Sequence, residues 1–318
     1  MPDSNGAGAS DSSRGSVFLT GATGFIGSRV QDRLIADGWR VRVLARPASS
    51  RSAHLHPAAE VIAGSLADSA ALGRGLAGAT AVVNCAGSVR GASFADFEAA
   101  NVAGVRALCE SVARLSTQPA ILHLSSLAAE APELSHYARS KREGERVLQA
   151  FDALCWTVIR PPAVYGPGEK EMRGALALAR RGLVPVPGGD RRQRLSMLHV
   201  DDLADAVLAW LKTPTAHRHR TYSIHDGAAD GYDWNDIAAA VCRRRPLFVG
   251  LPAGLLDVFA GANERLARLT GRPVMLSRGK VRELTHPRWV ADNASFSRAS
   301  GWTPRISLAE GVSGLFES

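Results

Sequence analysis

The run Thr20-Gly21-Ala22-Thr23-Gly24-Phe25-Ile26-Gly27 constrains this chain more than any other segment. It follows an apolar strand pattern at 17–20 and opens a helical one, so the glycines fall in a strand-to-helix turn. Gly21 permits the tight turn, Gly24 lets a pyrophosphate approach the backbone, and Gly27 lets helix and strand pack closely. The helix start offers unpaired N–H groups and partial positive charge to phosphate oxygens. Ala22, Thr23, Phe25 and Ile26 complete that cradle.

Beyond this turn, strand patterns at 41–45, 61–63, 81–85, 121–124 and 157–159 alternate with helical ones at 24–37, 70–77, 94–115 and 135–151. This is the order of a Rossmann-type α/β fold, a doubly wound parallel sheet. After Arg160 the pattern becomes irregular. A Gly/Pro loop at 161–168 precedes a helix near 172–181, a turn at 189–193, an apolar run at 195–198 and a helix begun by Asp201 or Asp202. Segments at 221–224, 233–243, 252–269 and 307–315 complete the chain. The expected organisation is a disordered Ser/Gly-rich tail at 1–15 and a dinucleotide-binding domain at 16–165. Residues 166–318 then form a mainly substrate-binding region, with some segments returning to the first domain.

Several function classes fall away. A chain of 318 residues that is 46% hydrophobic can bury a large core. The net charge of +8 comes from scattered arginines with few interleaved aromatics, which suits an anionic cofactor or substrate better than a nucleic acid. No apolar run approaches the roughly 18 residues of a membrane span. The first residues lack the basic and apolar regions of a signal peptide, so a cytoplasmic protein is expected. Cys85, Cys109, Cys155 and Cys242 lie far apart, which suggests neither a metal site nor a disulfide framework.

Cofactor choice should be written at the end of the second strand, where an acid would bind a ribose diol. There the chain reads Val41-Arg42-Val43-Leu44-Ala45-Arg46. Arg46 can pair with a 2′-phosphate, with Arg51 as a second contact, so NADP(H) is favoured over NAD(H). Tyr137 and Lys141 are four residues apart at the start of a helix and project from one face. A free phenol has a pKa of about 10; a nearby ammonium and an oxidised nicotinamide would both draw it down toward working range. His123-Leu124-Ser125-Ser126 ends a strand on the same edge, and Ser126, ahead of Ser125, can hold a substrate oxygen.

Taken with Asn84-Cys85-Ala86-Gly87, Asn101-Val102-Ala103-Gly104, the run from Arg160 to Gly168 and His199-Val200-Asp201-Asp202, these segments resemble the extended short-chain dehydrogenase/reductases of the epimerase/dehydratase superfamily. The resemblance implies that Tyr137, Lys141 and Ser126 are catalytic, and that Lys141 also binds the nicotinamide ribose. It places Ser65, Leu66, Ala86 and Gly87 along the cofactor, and Pro161 and Val164 beside the nicotinamide amide. Asn101 would brace the sheet, and an Asp of the 199–202 segment would cap a helix rather than bind metal.

Two departures from the family pattern bear on ligand choice. Gly64-Ser65-Leu66 has Ser where relatives place an adenine-binding Asp. Ala163 stands where nucleotide-sugar enzymes carry Asn, and Arg194 matches their usual Arg only with an offset. The Arg-Pro-Pro version of this motif resembles 3β-hydroxysteroid dehydrogenase-like and dihydroflavonol reductase-like members. The expected activity is therefore ketone reduction or secondary-alcohol oxidation on a mainly apolar small molecule. Nucleotide-sugar epimerisation or dehydration, and a non-catalytic NADP-binding scaffold, are the alternatives. Residues 251–269 would form an apolar substrate wall or an ordinary buried helix. The helices at 94–115 and 135–151 would pair in a homodimer or pack on their own sheet.

Overall fold

The structure, a computed structural model, describes residues 14–47, 55–270 and 274–316. Residues 1–13 of the expected tail, and Arg51, lie outside the described residues. The first half runs β1 (Ser16–Thr20), α1 (Phe25–Ala36), β2 (Arg40–Ala45), β3 (Glu60–Ala63), α2 (Ser69–Leu76) and β4 (Ala81–Asn84). Next come α3 (Ala95–Glu98), a π-helical turn (Ala99–Ala103), α4 (Gly104–Ala113), β5 (Ala120–Leu124), a 3-10 turn (Leu127–Glu130), α5 (His136–Gln149) and β6 (Trp156–Arg160). The second half contributes β7 (Ala163–Tyr165), α6 (Arg173–Arg180), β8 (Leu183–Pro187), β9 (Arg194–Leu195), β10 (Met197–His199), α7 (Val200–Lys212) and β11 (Arg220–Ser223). It ends with α8 (Trp234–Val241), β12 (Leu247–Leu251), α9 (Ala253–Thr270), α10 (Arg278–Thr285), β13 (Arg288–Trp289), α11 (Ala294–Ser300) and α12 (Leu308–Gly314).

Seven strands form one parallel sheet in the order β11-β6-β5-β4-β1-β2-β3. Every residue of β1 and β4 is buried, as expected of strands covered on both faces. Alternation divides the core between those faces. Val17 and Leu19 join Val30 and Leu34 of α1 and Leu203, Val207 and Trp210 of α7 on one side. Phe18 joins Leu72 and Leu76 of α2, Leu108 and Val112 of α4 and Leu148 of α5 on the other. Each such side chain, fully buried, contributes about 1.5–3 kcal/mol. The apolar faces of α4 and α5 are thus spent on their own sheet, which accounts for their pattern within one chain.

The chain leaves β1 toward β2 and β3 on one side and β4 and β5 on the other, which opens a crevice at the strands' carboxyl ends. After residue 165 the chain builds a second core of Leu176, Val184, Val186, Ile237 and Val312, while other segments return to this sheet. β11 is its edge strand, and Phe296 of α11 and Trp302 complete the core beneath α7. The Asp202 carboxylate accepts the backbone N–H groups of Arg305 (3.1 Å) and Ile306 (2.9 Å), which ties down the C-terminal segment.

Some expected elements are corrected. The pattern at 94–115 is two helices joined by the π-helical turn, and 195–198 belongs to two short strands. The helix after β10 is capped by His199, whose Nδ1 accepts the N–H of Asp201 (3.3 Å). Asp201 is instead occupied by a two-point ion pair with Arg29 of α1, so no Asp caps this helix.

Candidate active site

The glycine turn fits a dinucleotide's diphosphate by its backbone. Gly21 has φ +77°, and a Cβ there would come within 2.6 Å of the Ala86 nitrogen. Gly24 donates its N–H to the Gly21 carbonyl (2.9 Å), closing the turn. A Cβ on Gly27 would collide with that same carbonyl. α1 begins at Phe25 with no side-chain cap and no acid in its first turn, so its first N–H groups face the crevice unclaimed by side chains. Ala22 differs from the expectation in one respect: its side chain is core, and only its backbone belongs to the turn. Thr23, Phe25 and Ile26 are half-buried around it.

Along the same edge, Arg46 follows β2, exposed and without a hydrogen bond or ion pair to any described residue. The Ser65 hydroxyl accepts the Ala67 N–H (3.3 Å) in the turn after β3, and Leu66 packs against Gly104 at the start of α4.

A polar ladder underlies the catalytic candidates. Thr20, Asn84 and His123 are in register at the ends of β1, β4 and β5. The Thr20 hydroxyl donates to Asn84 Oδ1, and the Asn84 amide donates to His123 Nδ1 (3.0 Å), which leaves the imidazole proton on Nε2. Burial, helped by the Lys141 ammonium, pushes His123 down to about 3, so the ring is neutral. Lys141 is buried, its Nζ donating to the Leu124 carbonyl (3.1 Å), and burial lowers its pKa to about 8. A Cβ on Gly87 would stand 3.1 Å from that ammonium and 2.9 Å from Asn101 Oδ1, so glycine makes the room both groups use.

Asn101 is more central than the sequence implied. It lies in the π-helical turn and binds the Ser88 N–H (2.8 Å), the Ser88 carbonyl (3.0 Å) and the Ser140 hydroxyl (2.8 Å). It therefore ties the loop after β4 to α5, and does not brace the sheet. π-Helical turns gather at functional sites, but an Asn between small residues carries no periodic signal of one.

Tyr137 lies in the first turn of α5, whose cap Ser135 accepts the Ala138 N–H (2.9 Å). Its ring meets Phe97 edge-on at 6.0 Å. Ser126 opens the 3-10 turn, accepts the Ala128 N–H (3.2 Å) and lies beside the Tyr137 hydroxyl, so one side chain both caps and neighbours the phenol. Ser125 donates its N–H to Ile159 (2.8 Å) while its hydroxyl is buried without a partner. The Lys141 ammonium does not supply the downward pull on the phenol that the sequence suggested. Burial pushes the phenol up to about 12, the neighbouring Ser126 hydroxyl opposes this, and the Glu283 charge adds to it. The Lys141 charge acts instead on Cys85 and His123.

Glu283 was invisible to motif reading. It is buried on α10 and accepts the Ser135 hydroxyl across the start of α5. Lys280 pairs with its other oxygen (2.9 Å), Arg282 donates to the Leu134 carbonyl (2.7 Å), and Gly279 lets α10 approach Ser135. Glu283→Gln keeps an acceptor for Ser135 but removes the charge that disfavours the phenolate. The expected result is that the Tyr137-dependent inflection in kcat/KM moves to lower pH, in either direction of reaction. An unmoved inflection would remove Glu283 from the site's electrostatics.

The segment after β6 closes the far side. The buried Pro161 accepts the Leu127 N–H (2.9 Å) through its carbonyl, Val164 pairs with Leu198, and Ala163 is exposed at the start of β7. Arg160 is held by Glu145 (2.6 and 2.8 Å) and Glu130 (3.3 Å). Arg194 pairs with Asp236 (3.2 Å). Helix α9 contradicts both readings of residues 251–269. Its larger apolar side chains Leu255, Val258, Phe259, Leu266 and Leu269 face solvent, because the helix packs on α10 through small residues, Ala260, Gly261 and Ala267.

Comparison with known proteins agrees with this architecture. Residues 17–224 match the model of the NAD dependent epimerase/dehydratase family. A ceramide reductase of Caulobacter vibrioides is 37% identical over 93% of this chain and 98% of its own length. A 2-alkyl-3-oxoalkanoate reductase of Stenotrophomonas maltophilia is 29% identical over 93% of this chain and 97% of its own. Among solved structures, a UDP-glucose 4-epimerase of Thermotoga maritima superposes with a TM-score of 0.71 at 22% identity, covering 95% of this chain and 97% of the other. The chain belongs to the NAD-dependent epimerase/dehydratase family and is an NAD(P)-dependent oxidoreductase of the extended short-chain dehydrogenase/reductase type.

Proposed function

We propose that this protein uses NADPH to reduce a ketone on a molecule bearing long alkyl chains. The observation that carries the substrate class is the end-to-end similarity to a ceramide reductase, joined by a 2-alkyl-3-oxoalkanoate reductase. Ala163, in place of the Asn of nucleotide-sugar enzymes, agrees with it. When bound, the dinucleotide would supply a hydride from nicotinamide C4 to the carbonyl carbon.

The glycine turn and the start of α1 hold the diphosphate, with Ser65, Leu66, Ala86 and Gly87 along the cofactor. Pro161 and Val164 flank the nicotinamide, and Lys141 binds its ribose. Ser126 and Tyr137, side by side, meet the substrate oxygen, and Tyr137 gives it the proton that completes the alcohol. Arg46 meets the 2′-phosphate.

Titration with NADPH and NADH tests the cofactor. NADPH should bind more tightly, and Arg46→Ala should weaken it by roughly 10–100-fold while leaving NADH nearly unchanged. Equal losses for both would assign Arg46 a general role and return NAD(H) to contention. NADPH oxidation is then followed over ketones with long alkyl chains and over nucleotide sugars. Ketone-dependent oxidation supports the reading; epimerisation of a sugar nucleotide without net oxidation overturns it.

A further inference from the structure

Among the described residues twelve large apolar side chains stand exposed, and seven of them fall between Leu247 and Leu269. Five lie on α9, at 255, 258, 259, 266 and 269, a spacing that aligns them with the exposed Ala262 in one stripe. Leu269 is 85% exposed and Val258 68%. A helix of a water-soluble domain normally turns such a stripe inward; here the inward face is small and the apolar one is outward.

The exposed charges of α9 and of the segment just ahead of β12 have one sign. Arg265 and Arg268 are exposed on α9, and Arg244 and Arg245 are exposed just ahead of β12, which leads into it. The two acids of α9 are not on the outer surface. Asp257 and Glu264 are half-buried, and Glu264 accepts the Arg278 N–H (2.8 Å) from α10. A second copy laid against this stripe would bring arginine toward arginine with no exposed acid on the helix to meet it. An anionic lipid surface meets both requirements, taking the apolar stripe into its acyl boundary and the arginines at its headgroups. No helix among the described residues is long and apolar enough to cross a bilayer, so the contact is with one leaflet.

We infer that α9 docks the protein on an anionic membrane surface, from which it takes its substrate. The second clause rests on the proposed reduction of a long-chain ketone, since such a molecule resides in the bilayer. The helix is well placed for it. α10, on which α9 packs, bonds Ser135 through Glu283 at the start of the Tyr137 helix, and Val274 between them accepts the Gly91 N–H (3.0 Å) from the loop after β4.

The test is sedimentation of the full chain with vesicles of phosphatidylcholine alone or mixed with phosphatidylglycerol, with no turnover involved. Binding should appear with the anionic vesicles and weaken as salt rises. Val258→Glu/Leu266→Glu should lower binding by on the order of tenfold or more, and Arg265→Glu/Arg268→Glu should remove its dependence on phosphatidylglycerol. Neither pair touches the site, so NADPH oxidation with a detergent-dispersed ketone should be unchanged in both. Absence of binding at low salt, or equal binding by the Val258/Leu266 variant, overturns the docking inference. So does light scattering that shows a dimer which this variant splits, because the stripe would then be a self-interface. Vesicle binding without ketone reduction would leave the docking surface standing and sink the substrate reading.

Discussion

Tyr137→Phe is expected to lower kcat by about 10²–10⁴-fold, the usual worth of a positioned general acid. The substitution removes one oxygen from a ring that rests edge-on against Phe97, so packing of the ring is retained. Ser126 keeps its bond to the Ala128 N–H and loses only the phenol. Affinity for NADPH should change little, because the proposed seat of the diphosphate is the turn at Gly21–Gly27 and not this hydroxyl. Single-turnover measurement with saturating NADPH separates the two effects. Wild-type turnover in the variant would remove Tyr137 from the chemistry and, with it, the proposed reaction.

The largest stability effect should come from Arg160→Met. Glu145 is wholly enclosed, and its two oxygens are bound by Arg160 at 2.6 and 2.8 Å, with Arg142 at 3.4 Å. Taking Arg160 away leaves this enclosed carboxylate with Arg142 alone at 3.4 Å, a loss of about 3–5 kcal/mol. For a chain of this size that lowers Tm by roughly 5–8 °C. The double replacement Arg160→Met/Glu145→Met removes both charges and should recover most of the loss, since a buried ion pair exchanged for apolar side chains costs little. Thermal melts of the two single variants and the double variant decide the matter. Losses that simply add would show that the pair is not the source.

The first half of the fold was legible because its strands are mostly apolar and its helices carry a clear period. β1 to β6 lie within a residue or so of where the pattern put them. Of the later elements, the helices near 172–181, 233–243, 252–269 and 307–315 and the strand near 221–224 were read, while β8, α10 and α11 were hidden for physical reasons. β8 reads Leu-Val-Pro-Val-Pro, and prolines within a run argue against a strand; it forms because β12 lies beside it, some sixty residues later. α10, Arg-Gly-Lys-Val-Arg-Glu-Leu-Thr, has almost no apolar face, and it is held by Glu283 and by the small size of Gly279. α11 is anchored by Phe296. The candidate site divides in the same way. Glycines, Ser126, Tyr137 and Lys141 belong to local motifs. Glu283 reaches Ser135 across 148 positions, and Asn101 works through an irregular helical turn; neither leaves a periodic trace.

The shared face beneath α1 and α7 has a consequence for the making of the protein. β1 to β6 are complete once residue 160 has been synthesised, yet the side chains that cover Val17, Leu19 and Leu122 on that face include Leu203, Val207, Trp210, Phe296 and Trp302. At about 5–20 residues per second, the intervening chain takes on the order of ten seconds or more to leave the ribosome. Early in that interval α1 alone covers that side and β6 has no edge partner, and even after α7 and β11 appear the face lacks Phe296 and Trp302. The nascent chain is therefore a client for chaperones until its last fifth has emerged, and truncations before Trp302 should yield aggregate in place of a smaller folded enzyme.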